Sequence, residues 1–480
     1  MQSSFSRNKK SNKILFGLII ILGALIVFMV IMPKNVDEVY WKNYLIDLFC
    51  LTAILFLLLI YTLKNGFDLF DPIFFISAIY ATLYFIAPIH DILIGKYTWF
   101  GYNLFLYGVK GSLISLAGYF SFFLFYFFSG NKLSNRIDIK TNNIDCVELG
   151  YKERTVLMIV IVAMYAICFA ANVFYMVHSG YTNLLYILTL GLLGQEGDAA
   201  TKIESIGFIS MLSYSLPTVT LLYWNYGKSR ILKIVLFVPM LMLQVTRGFR
   251  FFVIQIAITF FAYYFIRKRK RPRISTILLF LIIMMIPVLL MTLFRDSVRA
   301  GGGINIPSIN GDSISEAFDQ AFWENLRIYQ NFYGMVAVIP SKYGYVYFRQ
   351  IIIGTVIMVI PRILWSGKIS TYGGAGLKTL IGSNIADGQA YPNLGEYYYA
   401  IGILGVIFFM SLYGWWMKHV RIRGADYEAG GLNNIIFAVL LGTNLQLIIR
   451  GYTPSNFWYV VFVIIPVYII KFLFFNNKRG

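Results

Sequence analysis

Apolar runs of about 20 residues recur along the whole chain, from residue 13 to residue 475, and this recurrence constrains the fold more than any other feature. A helix needs about 20 mostly apolar residues to cross a hydrocarbon core of roughly 30 Å, and only helices and closed barrels satisfy all their backbone hydrogen bonds in lipid. Charged residues make up 13% of the 480 positions, against about a quarter in soluble domains. The sequence therefore predicts an all-α polytopic membrane protein, with residues 1–480 forming a single transmembrane domain.

The spacing of these runs predicts about twelve transmembrane helices. They lie near residues 13–33, 44–63, 69–90, 108–129, 155–178, 205–226, 231–246, 250–266, 274–294, 396–417, 432–449 and 456–475. Between the ninth and tenth runs lies a segment of about a hundred residues, 295–395. This segment is predicted to be a large extracytoplasmic loop, and as the longest connection it is the expected location of function.

The formal charge of +19 follows the predicted topology. Basic residues precede the first run and cluster in alternate connections, such as residues 267–271. Positively charged connections remain on the cytoplasmic side of a membrane. Both termini are therefore predicted to be cytoplasmic, in a multi-pass protein of the cytoplasmic (inner or plasma) membrane. Because orientation accounts for most of the charge, no nucleic-acid partner is predicted.

Two patterns distinguish residues 295–395. Ser313 and Glu316 have the spacing of a helix capping box, and apolar residues follow at helical spacing as far as Phe332. This pattern predicts an amphipathic helix that lies on the membrane or on the bundle. Residues 351–364 are apolar, too short to span and interrupted by Pro361, which predicts a re-entrant or interfacial segment and implies a cavity beside it.

Four arginines at the predicted outer face are candidates for binding a lipid phosphate. They are Arg247, Arg250, Arg362 and Arg450. A guanidinium presents five donors in one plane and can bind a phosphate through two parallel hydrogen bonds at the depth of the lipid headgroups. The alternative is structural, because an arginine at the end of a span can extend to the interface. A cation at a helix C-terminus, as expected for Arg450, also interacts favourably with the helix dipole.

Glu396 is the candidate general base. It lies in the predicted first turn of the tenth run, where a carboxylate beside an arginine-lined cavity could take the proton of a sugar hydroxyl. The helix dipole would stabilise an acid there regardless of function, so both interpretations remain open. The three cysteines lack metal-type spacing, and no motif fixes the outer acidic residues in a cluster. Neither a metal site nor a cofactor is therefore predicted.

The second half of the chain contains four short motifs. They are Thr-Arg-Gly at residues 246–248, Pro-Arg-Ile-Leu-Trp at 361–365 with Lys368 after it, Gly-Glu-Tyr at 395–397, and Arg-Gly at 450–451. Together with the number of runs, this set resembles the Wzy-type oligosaccharide repeat-unit polymerases of bacterial O-antigen and capsule assembly. The family's usual phrase continues with proline after the tryptophan, where this sequence has Ser366.

The resemblance implies a GT-C-like fold, that of multi-spanning glycosyltransferases that use lipid-phosphate sugars, and a metal-independent, lipid-diphosphate-dependent polymerase. Such an enzyme moves the growing glycan from undecaprenyl diphosphate onto a newly flipped lipid-linked repeat unit at the outer face of the membrane, and releases undecaprenyl diphosphate. The implied partners are undecaprenyl-diphosphate-linked oligosaccharides, as donor and acceptor, together with membrane lipid and a chain-length regulator.

The chemistry of that reaction assigns roles to the candidate residues. Negative charge builds on the leaving diphosphate in the transition state, so fixed cations there accelerate the reaction. We accordingly expect the diphosphates to bind Arg247, Arg250, Arg362 and Arg450. Glu396, together with Arg247 and Arg362, is expected to be catalytic.

Two other functions fit part of the pattern. An O-antigen ligase-like enzyme would use the same donor with a lipid-A core as acceptor. A flippase or transporter of lipid-linked oligosaccharide also commonly has twelve spans, but it should show corresponding features in its two halves. Here the motifs and the exceptional loop lie in the second half, which favours the polymerase.

Overall fold

The computed structural model describes most of the chain. It covers residues 36–129, 150–178, 211–246, 250–268, 270–299, 311–360, 377–385, 389–424 and 431–475, with isolated positions 17, 21, 23, 25, 209 and 365. The predicted first span, residues 13–33, lies almost wholly outside this part of the chain. Within the described residues the structure is helical and contains no strand.

The helices before the long outer segment largely carry the predicted apolar runs. They are α1 (Trp41–Asn65), α2 (Pro72–Leu93), α3 (Gly108–Phe128), α4 (Tyr151–His178), α5 (Leu216–Tyr226), α6 (Arg230–Thr246), α7 (Arg250–Arg267) and α8 (Ile274–Arg299). The start of α2 shows why one of these helices begins where it does. The Asp71 side chain accepts the Ile73 N–H, and Pro72 occupies the first turn, where its missing N–H costs no hydrogen bond.

The outer segment and the C-terminal part contribute the remaining helices. Those described are α9 (Gly311–Phe318), α10 (Ile328–Val338), α11 (Gly354–Met358), α12 (Leu377–Leu380), α13 (Asn393–Ile401), α14 (Ile403–Gly424), α15 (Leu432–Ile449) and α16 (Thr453–Phe475). Helix α9 begins at Gly311, two residues before the predicted cap at Ser313, so that predicted boundary was wrong.

Among the described residues, seven helices are long and apolar enough to cross a membrane: α1 to α4 and α14 to α16. Each lies over a predicted run, which confirms an all-helical polytopic membrane protein. The seventh and eighth runs, joined by only three residues, form the separate helices α6 and α7. The total of twelve spans, the GT-C-like arrangement and the extent of the outer loop remain predictions.

The predicted tenth run, residues 396–417, is not one helix. Helix α13 ends at Ile401 and α14 begins at Ile403, with Gly402 between them at a φ of +68°. This left-handed conformation favours glycine. The Tyr345 hydroxyl also lies 2.7 Å from the position that a Cβ of residue 402 would occupy. The predicted start of the span was therefore wrong, and Glu396 precedes the span instead of opening it.

The buried apolar side chains of the described residues form two clusters. The first cluster joins α1, α2, α3, α10, α13 and α14, and the second joins α4 to α7, α15 and α16. Helix α14 packs along α3, α7 packs along α15, and α14 meets α15 where the clusters adjoin. We call this junction the seam, and its end beside α13 and the start of α16 the outer end, following the orientation predicted from the charge.

Helix α10 belongs to the core of the bundle, although it comes from the outer segment. Nine of its eleven residues are buried. The Asn331 side chain donates a hydrogen bond of 2.7 Å to the carbonyl of Ala390, and the Trp99 indole donates one of 3.0 Å to Asn331. Helix α10 therefore holds in place the chain that leads into α13.

A candidate active site at the outer end of the seam

Glu396 lies at the centre of the candidate site, in the first turn of α13, and is 1% exposed. Its Oε2 accepts two hydrogen bonds from Thr453, one from the backbone N–H at 2.7 Å and one from the hydroxyl at 2.5 Å. Its Oε1 is buried and accepts no hydrogen bond from the described residues. A buried carboxylate oxygen without a donor is costly, so Oε1 is an unsatisfied acceptor among the described residues.

The environment of Glu396 changes its acidity. Burial raises the pKa of this carboxyl to about 7, while the hydroxyl and backbone hydrogen bonds from Thr453 act in the opposite direction. A carboxyl group that titrates near neutral pH is matched to general base catalysis, because it is ionised at working pH yet basic enough to take a proton.

A close backbone contact fixes the position of this carboxylate. The Gly451 N–H donates a hydrogen bond of 2.6 Å to the Tyr391 carbonyl. A Cβ on residue 451 would collide with the Pro392 carbonyl oxygen, so glycine is required at this approach. The turn between α15 and α16 is thereby fastened to the chain that enters α13, which places Thr453 beside Glu396.

A third segment, residues 349–358, completes this side of the site. The Trp458 indole N–H donates a hydrogen bond of 2.8 Å to the carbonyl of Thr355, which ties the segment to α16. The side-chain amide of Gln350 donates a hydrogen bond of 3.0 Å to the Tyr391 hydroxyl. The side-chain oxygen of Gln350, Oε1, is buried without a donor among the described residues. Sequence reasoning did not identify Gln350, since a lone glutamine carries no signal.

Of the four predicted arginines, the structure describes the side chain of Arg450 alone. Arg450 caps the C-terminus of α15, and its guanidinium carbon lies 5.1 Å from the centre of the Phe251 ring. Phe251 follows Arg250, the first residue of α7, whose backbone is described. The ends of α7 and α15 are thus neighbours. Arg247 and Arg362 lie outside the described residues, so the diphosphate roles of all four arginines remain predictions.

A second buried charged group lies at the same end of the bundle and was not predicted. Arg327 is 1% exposed, and its Nε donates to both carboxylate oxygens of Asp91, at 3.1 Å each. The Tyr329 hydroxyl also donates to Asp91, at 2.8 Å. Asp319 and Glu324 lie 3.8 and 4.0 Å from Arg327 Nη1. Because three acidic side chains surround Arg327, we assign it a structural role and not the binding of phosphate.

No group of three or more histidine, cysteine, aspartate or glutamate side chains among the described residues could hold a metal ion. Metal independence of the reaction remains a prediction that chelation can test.

Within the described residues, the protein is a helical bundle with seven helices that could cross a membrane and with a buried glutamate, Glu396, at the outer end of its seam. The chain belongs to the O-antigen polysaccharide polymerase Wzy family, whose model matches residues 7–478, nearly the whole chain. This match confirms the resemblance drawn from the motifs. It indicates a multi-pass membrane protein with a glycosyltransferase-like polymerase activity on lipid-linked O-antigen repeat units. No curated protein and no solved structure matches the chain.

Proposed function

We propose that this protein elongates a glycan by transferring it from undecaprenyl diphosphate to the non-reducing-end sugar of a lipid-linked repeat unit, at the outer face of the cytoplasmic membrane. The membership of the Wzy family supports the polymerisation of repeat units. The observation that carries the chemical proposal is Glu396 Oε1, a buried oxygen without a hydrogen-bond donor among the described residues. It lies where the Thr453–Glu396 hydrogen bond joins the starts of α16 and α13.

The reaction can be written as one displacement. The bond between the anomeric carbon of the growing chain and the diphosphate oxygen breaks, and that carbon bonds to the acceptor hydroxyl oxygen. The hydroxyl proton passes to Glu396, and undecaprenyl diphosphate leaves with the electron pair of the broken bond. Glu396 Oε1 is the atom that accepts the proton, because Oε2 is already occupied by Thr453.

Fixed cations stabilise the leaving group in this proposal. Charge on the departing diphosphate is greater in the transition state than in the ground state, so guanidinium groups held near it lower the barrier. Arg450, at the end of α15, adjoins Gly451 and the Thr453 contact, and it is one such group. Arg247, Arg250 and Arg362 are assigned the same role on the basis of their positions in the sequence.

The remaining elements of the proposal concern setting and partners. Both termini are cytoplasmic, the reaction needs no metal ion, and a chain-length regulator acts on the same membrane surface. The segment 295–395 covers the site and excludes water, which would otherwise compete with the sugar hydroxyl as acceptor. Part of this segment, α10, is buried in the bundle and holds the chain before α13, which ties the segment to the site.

The proposal is tested with purified full-length protein in lipid nanodiscs. Undecaprenyl-diphosphate-linked repeat units from the host are added, with and without a metal chelator. We expect a ladder of polymers, release of undecaprenyl diphosphate, and the same rate in both conditions. Absence of a ladder with active substrate, or a rate abolished by the chelator and restored by one metal, contradicts the corresponding part of the proposal. Movement of intact units across a vesicle membrane without linkage would indicate a flippase instead.

A further inference from the structure

A large cavity lies along the seam, between α14, α15 and α16, and has a volume of about 670 Å³. Its polar lining at the outer end comes from Asn393, Gly451 and Thr453, and Thr453 is the residue that binds Glu396. The cavity therefore reaches the residue that holds Glu396, although Glu396 itself does not line it. We call it the seam groove.

Away from the outer end, the walls of the seam groove are mainly apolar and aromatic. Ile436, Leu440, Val461 and Ile464 line it in the membrane-spanning parts of α15 and α16. Three aromatic side chains at its margin are about half exposed: Trp415 at 45%, Phe457 at 49% and Tyr468 at 51%. Trp415 lies near the middle of α14, a helix long and apolar enough to cross a membrane, so its exposed side chain faces lipid and the seam groove is open to the bilayer.

The length of the seam groove selects its occupant. Its lining on α16 extends from Thr453 to Tyr468, which at 1.5 Å per residue is roughly 22 Å. One leaflet of a hydrocarbon core is roughly 15 Å deep. At the far end the groove reaches His419 and Arg423, near the predicted cytoplasmic end of α14. A phospholipid acyl chain stays within one leaflet, whereas a long polyisoprenoid chain can cross the midplane.

We propose that the seam groove binds the polyisoprenoid tail of the donor, the lipid that carries the growing glycan. This assignment rests on the proposed function. In that reaction the bond that breaks lies next to the diphosphate, so the donor's tail must begin beside the reacting atoms. The acceptor reacts at its non-reducing end, which is separated from its own tail by a whole repeat unit. A groove that is lined by Thr453, the hydrogen-bond partner of Glu396, therefore fits the donor's tail and not the acceptor's.

The groove also accounts for product release in chemical terms. After transfer, the leaving molecule is the polyprenyl diphosphate itself, with its tail in the seam groove. Because the groove is open to lipid along its margin, this molecule can leave sideways into the bilayer without passing through the polar site.

The first test varies the tails of donor and acceptor independently, in the nanodisc assay. Donors carry either a polyprenyl tail of about 55 carbons or a short prenyl tail of about 10 carbons. Val461→Trp fills the groove, and Val238→Trp, on a half-exposed position of α6, is the matched control. We expect Val461→Trp to lower kcat/KM for the long-tailed donor by roughly tenfold or more, because buried apolar contacts are lost. Val461→Trp should change kcat/KM for the short-tailed donor only slightly. The loss with the long-tailed donor should not depend on the length of the acceptor tail.

The possible outcomes distinguish a failure of the groove assignment from a failure of the proposed reaction. An equal loss for both donors, no loss for either, or a loss that follows the acceptor tail overturns the groove assignment while leaving the polymerase intact. A wild-type protein that forms no polymer from any donor overturns the proposed function and the groove assignment with it.

A second measurement does not depend on activity. A polyprenyl diphosphate with a photoreactive diazirine near the end of its tail is bound to the purified protein and irradiated. We expect crosslinked peptides from α14, α15 and α16, reduced by unlabelled polyprenyl diphosphate but not by phosphatidylglycerol. Crosslinks elsewhere, or equal competition by the phospholipid, would overturn the proposal in favour of a general lipid site.

Discussion

Thr453 donates both its backbone N–H and its hydroxyl to the same carboxylate oxygen of Glu396, at 2.7 and 2.5 Å. The two residues are 57 positions apart and lie at the starts of α16 and α13, helices of different core clusters. This contact joins the clusters at the outer end and leaves the second oxygen of Glu396 without a donor among the described residues.

Replacement of Glu396 by glutamine should abolish most of the activity without unfolding the protein. Glutamine has the same shape and can still accept from Thr453, but it cannot take a proton. We expect the initial rate of linkage formation to fall by roughly 10²- to 10⁴-fold, with unchanged amounts of protein in the membrane. Glu316→Gln, at an exposed position of α9, makes the same charge change away from the site and is the control. A Glu396→Gln protein that polymerises at the wild-type rate would remove the residue from the mechanism.

The rate should depend on pH through Glu396. Because burial raises the pKa of this carboxyl to about 7, a base that must be ionised is mostly protonated and inactive below that pH. Polymerisation should therefore rise with pH to a plateau, with a midpoint near pH 7. Thr453→Val removes a hydrogen bond that favours the charged form, so the pKa should rise and the midpoint should move to higher pH. Thr62→Val, which removes a buried hydroxyl at the other end of the bundle, should leave the midpoint unchanged. A polymerisation rate that does not change between about pH 5 and about pH 8 would show that Glu396 is not the base.

The arginines of the two sequence motifs should act through geometry as well as charge. Arg247→Lys and Arg362→Lys keep the positive charge but lose the planar pair of donors that binds a phosphate. We expect roughly tenfold or greater loss of long-chain product, with normal insertion of the protein into the membrane. Arg273→Lys, on an exposed residue next to the start of α8, is the control. Unchanged chain-length distributions in both motif variants would exclude them from the site.

The buried pair of Arg327 and Asp91 should contribute to stability. Arg327→Met leaves the Asp91 carboxylate buried without its cation, and breaking a buried pair in this way costs about 3–5 kcal/mol of unfolding free energy. Unfolding followed in detergent micelles should show this loss for Arg327→Met and little change for Arg273→Met. Equal stability of the two variants would mean that the pair does not hold α2 to the outer segment.

A different pair fastens the opposite end of the bundle. Arg421 of α14 forms an ion pair with Asp71, and the Tyr61 and Tyr126 hydroxyls donate to the same carboxylate. Asp71→Asn and Arg421→Met should each destabilise the protein. The double variant should be less destabilised than the sum of the two, by roughly 1–3 kcal/mol in a double-mutant cycle. Additive losses would show that the two side chains act independently.

Much of the membrane architecture is predictable from the sequence, because hydropathy acts over many residues at once. The helices α1 to α4 and α14 to α16 are each at least 18 residues long, within the range that crosses a hydrocarbon core. The start of α2 at Asp71 and Pro72, and the place of Glu396 in a first helical turn, follow from local rules as well. Such features depend on neighbours in the sequence.

The features that the sequence did not predict depend on single angles or on distant partners. The break at Gly402 is one dihedral angle of +68° within an apolar run. Arg327 and Asp91 are 236 positions apart, so nothing local marks them as a pair, and Arg327 reads as one more outward cation. Gln350 becomes notable only because Tyr391 is folded against it.

The most direct test of this account is the stoichiometry of the purified reaction in wild type and in Glu396→Gln. Undecaprenyl diphosphate and new glycosidic linkages are counted in the same sample, at a pH above the midpoint of the rate profile. The account predicts one undecaprenyl diphosphate released for each linkage formed by the wild type, and neither product above background in the variant. Linkages formed without release of the diphosphate, or normal yields from Glu396→Gln, would contradict it.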